Sequence, residues 1–286
     1  MTAQEASDPA SILGSRPRVP RGHAGAEGAG AVRRWLARSR PALLSGGLVI
    51  LVIAAWQVSV DLKWVNRVYT SAPSQIVVQA YHYLPSSQGL LDMRTSGEEL
   101  VIGLGMSIIV GVTLGLLMGR YKILEETTNL ALNIFYSLPL LALAPIIVLW
   151  FGIGIGSKIV VVFLASLFPI LVSTQTGIKN VDATLKDMAR TYRAGELQLW
   201  RTVLLPASVP SIISGIRIGM AGALVGVVVG EFISSSAGIG FLISQSANNF
   251  NTTLLFVGLL VLAVVSLILT IALKKLDSHF SRWRTR

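Results

Sequence analysis

The feature that most constrains this chain is a series of six apolar runs, each close to the length that crosses a lipid bilayer. They lie at residues 42–60, 100–119, 130–151, 159–177, 211–231 and 254–273. A membrane-spanning helix needs about 20 apolar residues, and 52% of the 286 residues are hydrophobic whereas 13% are charged. The sequence therefore predicts an all-α polytopic membrane protein whose six transmembrane helices fill one domain, residues 42–275.

Two basic tails, residues 1–41 and 276–286, flank this domain. The first tail is rich in Gly, Ala, Pro and Arg and has no apolar periodicity, so we expect it to be disordered. The run at 42–60 is long for the core of a signal peptide and lacks a convincing cleavage site. This favours a retained first helix.

Basic residues are unequally distributed between the two sides that six spans would define. Twenty of the 24 Lys and Arg residues fall on the side of the termini, and four fall on the other side. The positive-inside rule therefore predicts that both termini are cytoplasmic. Basic flanks of this kind suit anionic lipid, so we expect membrane lipid, and no nucleic acid, as their partner.

Catalytic and metal sites are not predicted. The chain has no Cys, and its three His residues are dispersed without ligand spacing, so no cofactor or metal is expected in this chain. A membrane-embedded enzyme would need clustered acids or histidines at helix depth, and Glu231 is the only carboxylate that the runs place near an apolar helix.

The connecting segment from Asp61 to Glu99 is amphipathic and irregular, and we expect it to lie along the outer surface. Within the spans, glycines recur at helical spacing. Small residues at such positions predict close helix packing, with a lining role as the less favoured alternative. These glycines are Gly111, Gly115, Gly119, Gly215, Gly219, Gly222, Gly226 and Gly230.

The longest cytoplasmic loop, residues 179–209, has the pattern of a helix–turn–helix at the membrane surface. Asp182 is placed to cap a first helix and Gly195 to end it, and Pro206 and Pro210 are expected to stop a second. One face of the first helix is apolar, which suits either a docking partner or a lipid surface. The residues of that face are Leu185, Met188, Ala189 and Tyr192.

The same loop resembles the EAA loop of ABC importer permeases. That family pattern is E-A-A, three residues, G, nine residues, I, one residue and L-P. Here Asp187-Met188-Ala189 stands for E-A-A, Arg193 for G, and Val203, Leu205 and Pro206 for I and L-P. The spacing is intact although four of the family residues are replaced.

Two further stretches resemble the nitrate/sulfonate/taurine branch of this family. They are Leu138–Pro145 with Leu149–Gly152, and Gly230-Glu231-Phe232 with Gly238-Ile239-Gly240. The resemblance covers residues 45–275 and implies a type I ABC importer permease fold in a bacterial inner membrane. It implies import of a small solute such as an organosulfonate, nitrate or taurine-like anion, with bicarbonate, aromatic acids and uncharged vitamin precursors left open.

The resemblance also implies the partners. The loop would form a coupling helix that enters a groove on an ATP-binding subunit. Two copies of that subunit would bind ATP and Mg, and a second permease copy, as a homodimer, and an external substrate-binding protein would complete the assembly. This chain has no G-x-x-x-x-G-K-[S/T] sequence and is not expected to be an enzyme itself. The implied coupling residues are Asp187, Met188, Ala189, Arg190, Tyr192, Arg193, Gly195, Leu205 and Pro206.

Candidate pathway residues each have a simpler alternative. Glu231 is an intramembrane carboxylate and so a functional candidate, yet it also suits the water boundary. Pro139 and Pro145 could unwind the third span, although kinking is favoured. Ser173 and Gln175 could line a passage, or bond within their own helix. A stand-alone secondary transporter is the alternative class, but we find neither the inverted repeats nor the buried ionisable residues expected of one.

Overall fold

The computed structural model describes residue 44, residues 46–66 and residues 68–281, and helices are the regular structure found there. The chain divides into two compact units between Ala55 and Trp56; the described part of the first unit is the beginning of one helix. The helices are α1 (Gly46–Asp61), α2 (Pro73–Tyr83), α3 (Ser87–Arg120), α4 (Lys122–Ser137), α5 (Leu140–Phe151), α6 (Ile155–Lys179), α7 (Ala183–Thr191), α8 (Glu196–Leu199), a π-helical turn (Trp200–Leu204), α9 (Leu205–Ser234), α10 (Ile239–Asn248) and α11 (Thr252–Ser281).

Four of the described helical segments are long and apolar enough to cross a membrane. They are Ser87–Arg120, Ile155–Lys179, Glu196–Ser234 and Thr252–Lys275, and Gly46–Asp61 and Ala142–Phe151 are shorter apolar helices. The prediction of an all-α membrane protein is confirmed. The predicted tail at 1–41 lies outside the described residues. The predicted tail at 276–286 begins as helix, because α11 continues to Ser281.

The segment predicted to be irregular, Asp61–Glu99, is largely helical, so that prediction is wrong. It contains α2 and the first turns of α3, which begins thirteen residues before the predicted span. Ser86 caps α3, since its Oγ accepts a hydrogen bond from the N–H of Gly89 at 3.1 Å. Polar residues on the buried face of these turns lower their hydropathy, and for this reason the apolar run seemed to start later.

The predicted third span is divided into α4 and α5 by an extended break at Leu138 and Pro139. Proline disfavours the helical conformation of the residue before it, and Leu138 accordingly has φ −72° and ψ 131°. Pro139 itself precedes α5, and Pro145 lies inside that helix. Pro139 therefore interrupts the segment, and the favoured reading of a kink is wrong at this position.

Helix α6 lies between α3 and α9 and packs closely against both. A Cβ on Gly111 of α3 would lie 3.1 Å from the Ile170 side chain, and one on Gly219 of α9 would lie 2.6 Å from the same residue. Hydroxyl groups add to the contact, because Ser166 bonds to Ser107 at 2.7 Å between α6 and α3. The predicted packing role of the glycines is confirmed for this pair of interfaces.

Gly115→Ala should destabilise the bundle, because its Cβ would lie 2.7 Å from both the carbonyl oxygen of Leu171 and the Cβ of Thr174. Forcing such a contact costs about 1–3 kcal/mol. Gly105→Ala in the same helix is the matched control, since a Cβ there meets nothing within 4 Å. Thermal unfolding in detergent should show a lower Tm for Gly115→Ala alone. Equal Tm values for the two variants would contradict the packing assignment.

Candidate functional site

The loop after α6 begins with a capped helix, α7. The N–H of Thr184 donates to Oδ1 of Asp182 at 2.8 Å, which confirms the predicted cap. This backbone hydrogen bond also lowers the pKa of the Asp182 carboxyl group. The first helix of the loop is thus fixed at its start by a local interaction.

The apolar residues of α7 divide between two faces. Leu185 and Met188 of α7 and Tyr192, which directly follows the helix, form an exposed stripe, with 46%, 51% and 81% of their surfaces accessible. Ala189 instead packs against the buried cluster of Ile178, Val181, Leu199 and Leu204 beneath the loop. The sequence grouped all four apolar residues on one face, and the structure separates Ala189 from the exposed three. Asp187 is exposed; the side chain of Arg190 lies outside the described part of the chain.

The turn that ends α7 is formed by Arg193, not by Gly195 as predicted. Arg193 has φ +54°, and the N–H of Ala194 bonds to the carbonyl of Ala189 at 2.9 Å. A left-handed residue at this place is typical of helix C-termini and favours glycine, which is the residue of the family pattern. Gly195 has φ −65° and precedes α8.

The second helix of the loop continues into α9 without a stop, so the predicted break at Pro206 and Pro210 is wrong. Pro206 stands in the first turn of α9 and Pro210 lies inside it. Proline has no N–H to donate, and the chain adapts with a wider turn, in which the N–H of Leu205 bonds to the carbonyl of Trp200 five residues back. Single π turns of this kind often occur at functional sites.

An ion pair ties this loop to the end of α3. Nε and Nη2 of Arg120 donate to the two carboxylate oxygens of Glu196 at 2.9 and 3.0 Å. Arg120 is the last residue of α3 and Glu196 the first of α8. The sequence did not indicate this pair, because its members are 76 residues apart and neither lies in a recognisable motif.

At the opposite end of the bundle, side chains from α3 and α9 hold the N-terminus of α10. The N–H groups of Gly238 and Ile239 donate to Asp92 at 2.9 Å and to Ser96 at 2.8 Å. Glu231 accepts from the N–H of Gly240 at 2.5 Å and from Ser96 Oγ at 2.6 Å. These bonds satisfy amide groups that a helix start leaves unpaired, and the partial positive charge there favours carboxylates.

Burial extends to a second acid and a lysine. Lys158 Nζ lies 2.5 Å from Glu99 Oε1, and it also donates to Ser235 Oγ at 3.0 Å. Glu99, Glu231 and Lys158 are 0%, 1% and 5% exposed. The expectation that Glu231 is the only carboxylate near an apolar helix is therefore wrong. Glu99 directly precedes the predicted start of its span at residue 100. Its helical spacing to Asp92 and Ser96 was the sequence signal that could have indicated a buried polar face.

Tyr83 of α2 also contacts these buried polar side chains. Its hydroxyl donates to Asp92 Oδ2 at 2.5 Å. Burial, followed by the hydrogen bond to Asp92, raises the pKa of the Tyr83 hydroxyl. Among the described residues, no group of three or more His, Cys, Asp or Glu side chains is arranged to hold a metal ion. We name Asp92, Ser96, Glu99, Lys158 and Glu231 the polar cluster.

The predicted pathway residues do not come together. Glu231 belongs to the polar cluster, whereas Ser173 lies against Gly215, about 24 Å away along α9 at 1.5 Å per residue. Gln175 is half-buried on α6, and Pro139 and Pro145 are exposed on the divided segment. Arg217 lies 3.4 Å from Asp277 of α11, so it pairs with a carboxylate within the chain.

A groove of about 460 Å³ lies between α4, α5, α6 and α9. Leu138 at the helix break borders it, and the rings of Phe135 and Phe168 stack along it with centroids 6.5 Å apart. Its remaining lining is also apolar, formed by Leu143, Leu164, Ala165, Pro169, Ile218, Ala221, Gly222 and Val225.

Comparison with known proteins identifies the class. Residues 108–282 match the family model of the binding-protein-dependent transport system inner membrane component. The chain is 31% identical over 255 residues to a Bacillus subtilis protein named as an aliphatic sulfonates transport permease, covering 89% of this chain and 92% of that one. It is 26% identical to the taurine transport system permease protein of Escherichia coli, over 87% and 92% of the two chains.

A further permease and a solved structure are also similar. The formylaminopyrimidine transport permease protein of Halalkalibacterium halodurans is 30% identical over 87% of this chain and 99% of its own. The inward-facing MetNI methionine ABC transporter shares the fold, with a TM-score of 0.58 and 19% identity over 65% of this chain and 93% of that chain.

This chain belongs to the family of binding-protein-dependent transport system inner membrane components. It is a permease subunit of an ABC importer, a class of membrane protein that works with ATPase subunits. The chain is therefore assigned to this family and not to the alternative class of stand-alone secondary transporters.

Lys158→Met should destabilise the protein by about 3 kcal/mol, because it leaves the buried carboxylate of Glu99 without its cation. Lys158→Met/Glu99→Gln should recover most of that loss, since the unpaired charge is then removed. The free energy of unfolding of the purified chain in mixed micelles measures both. If the double variant is as unstable as the single one, the Glu99–Lys158 pair is not the source of the effect.

Proposed function

We propose that this permease binds its ATPase subunit through the exposed stripe formed by Leu185 and Met188 of α7 and by Tyr192 directly after it. The exposure of these three side chains is the observation that carries the proposal. An exposed apolar stripe on a helix fits a groove on a partner protein. The rest of the loop is packed on the bundle through Ala189 and Leu199. This packing holds the exposed stripe in place at the surface.

The proposed topology has six spans. Beyond the four long helices, α1 would supply one span and the α4–α5 segment another. The excess of basic residues on the side of the termini supports cytoplasmic termini in a bacterial inner membrane. With this orientation α7 faces the cytoplasm, where ATP is available, and the polar cluster lies at the outer end.

The proposed assembly contains two permeases and two ATPase subunits, with an external binding protein that delivers the solute. The ATPase subunits would bind ATP and Mg, and this chain would carry no ATPase site of its own. Closure of the ATPase pair would move the docked α7 helices, and the two permeases would then alternate between inward-open and outward-open states. The coupling residues Asp187, Arg193, Gly195, Leu205 and Pro206 would shape the docked loop.

A small organosulfonate is the proposed solute. The similarity to sulfonate and taurine permeases supports this class. The groove beside the break between α4 and α5 supports a passage at that place, because transporters commonly build solute sites at interrupted membrane helices. Its stacked rings, Phe135 and Phe168, would contact the apolar part of such a solute.

Tyr192→Ala should weaken binding of the ATPase subunit by about 30-fold, as expected for loss of an aromatic anchor at an interface centre. Met188→Asp should abolish co-purification, because it introduces a charge into the apolar contact. Tyr81→Ala is the matched control: Tyr81 is a similarly exposed tyrosine, 77% accessible, on α2 away from the loop. Binding is measured by surface plasmon resonance on nanodisc-embedded chains, and unchanged affinity in Tyr192→Ala would refute the docking assignment.

The solute is tested by uptake of radiolabelled taurine into proteoliposomes that contain the full complex and its binding protein. We expect uptake only with enclosed ATP, and competition by ethanesulfonate. ATP-dependent uptake of a formylaminopyrimidine instead of taurine would assign the importer to vitamin precursors and overturn the organosulfonate proposal without affecting the docking assignment.

A further inference from the structure

The ion pair between Arg120 and Glu196 connects two parts of the protein that the chain itself keeps far apart. It is bidentate, with both contacts at 3.0 Å or less, a geometry that fixes orientation as well as distance. Exposed ion pairs add little to stability, and the side chains of Arg120 and Glu196 are 30% and 49% exposed. The main effect of the pair is therefore to position the start of α8 against the end of α3.

Apolar packing next to this pair also connects α3 with the loop. Leu116 of α3 packs on the buried cluster formed by Ile178, Val181, Leu199 and Leu204, and Ala189 of α7 packs on the same cluster. Leu116 thus lies against the same cluster as Ala189, and Arg120, one turn further along α3, binds Glu196 at the start of α8. The end of α3 and helix α7 are therefore linked through this shared cluster.

The other end of α3 carries three members of the polar cluster. Asp92 and Ser96 hold the N-terminus of α10, and Glu99 pairs with Lys158 of α6. Asp92 and Arg120 lie in one uninterrupted helix and are about 42 Å apart at 1.5 Å per residue. A single continuous helix therefore extends from the loop to the N-terminus of α10.

The direct covalent route is less rigid. Between α8 and α9 the chain passes through the π turn at Trp200–Leu204, and Pro206 and Pro210 follow it. Both features interrupt the regular hydrogen-bond ladder and are common sites of helix bending. Movement of the loop can be absorbed there before it reaches the far end of α9.

We propose that Arg120 and Glu196 are positioning residues that transmit movement of the α7–α8 loop along α3 to the polar cluster. The inference rests on the proposed function, because it takes the ATPase to act at α7. It goes beyond that function because it names the helix and the ion pair through which the nucleotide state of the ATPase changes the conformation at the polar cluster.

The test uses the full complex with its ATPase subunit in nanodiscs and a reporter at the far end. The chain has no Cys, so Ser234→Cys gives one thiol in each permease copy, and the ATPase subunit is used in a cysteine-free form. Ser234 is buried near α10, and its hydroxyl has no hydrogen-bond partner in the described structure. The rate at which a charged methanethiosulfonate modifies this thiol is compared with and without ATP and vanadate. We expect vanadate trapping to change the rate at least about fivefold.

Arg120→Ala and Glu196→Gln should each remove this change while ATP hydrolysis and subunit binding persist. The exchanged pair, Arg120→Glu/Glu196→Arg, should restore it, which a merely unfolded single variant could not explain. Arg94→Ala is the matched control, because Arg94 makes an exposed ion pair with Glu98 on the same helix at 2.7 Å but does not contact the loop. It should retain the full response.

The outcomes separate the inference from the proposed function. If the single variants still respond to vanadate, movement travels by another route, such as α9, and the inference is wrong. If the exchanged pair fails to respond although it binds and hydrolyses ATP, the ion pair is not the link. If no ATPase binds the unsubstituted chain, or Tyr192→Ala binds it normally, the proposed function fails first.

Discussion

The close approach of α6 to α3 and α9 is the contact on which the rest of this structure depends. Lipid offers no hydrophobic drive between membrane helices, so they associate through van der Waals contact and interhelical hydrogen bonds. Glycines supply that contact along both interfaces, and Ile170 is enclosed between Gly111 and Gly219. Because the contacts recur over several turns, the three helices are held in one register from end to end.

That register determines which side chains meet at the two ends. At one end it aligns Glu99 of α3 with Lys158 of α6, and Ser96 of α3 with Glu231 of α9. At the other end it brings the last turn of α3 over the loop that follows α6. Neither group of residues is local in sequence, and a shift of one helix by one turn would separate both. Both groups of contacts thus depend on the same helix packing.

The sequence was sufficient for properties that depend on local pattern. Apolar runs indicated the membrane helices, and glycine spacing indicated their packing faces. The Asp182 cap was also predicted correctly. It was insufficient where tertiary contacts decide: the start of α3 was missed because Asp92, Ser96 and Glu99 interrupt the hydropathy of a helix that is nevertheless buried. The end of α7 was misassigned because Arg193, not Gly195, adopts the left-handed conformation.

Burying the charged side chains of the polar cluster costs desolvation free energy. The hydrogen bonds that these side chains make indicate their structural role. Removing charges from water is seldom repaid in stability by their mutual attraction, and replacing buried ion pairs by apolar residues is often neutral or stabilising. Apolar residues could not, however, accept the N–H groups of Gly238, Ile239 and Gly240. Asp92 and Ser96 of α3 and Glu231 of α9 thus fix the start of α10 relative to these two helices. The orientation of α10 therefore depends on hydrogen-bond acceptors that apolar side chains could not replace.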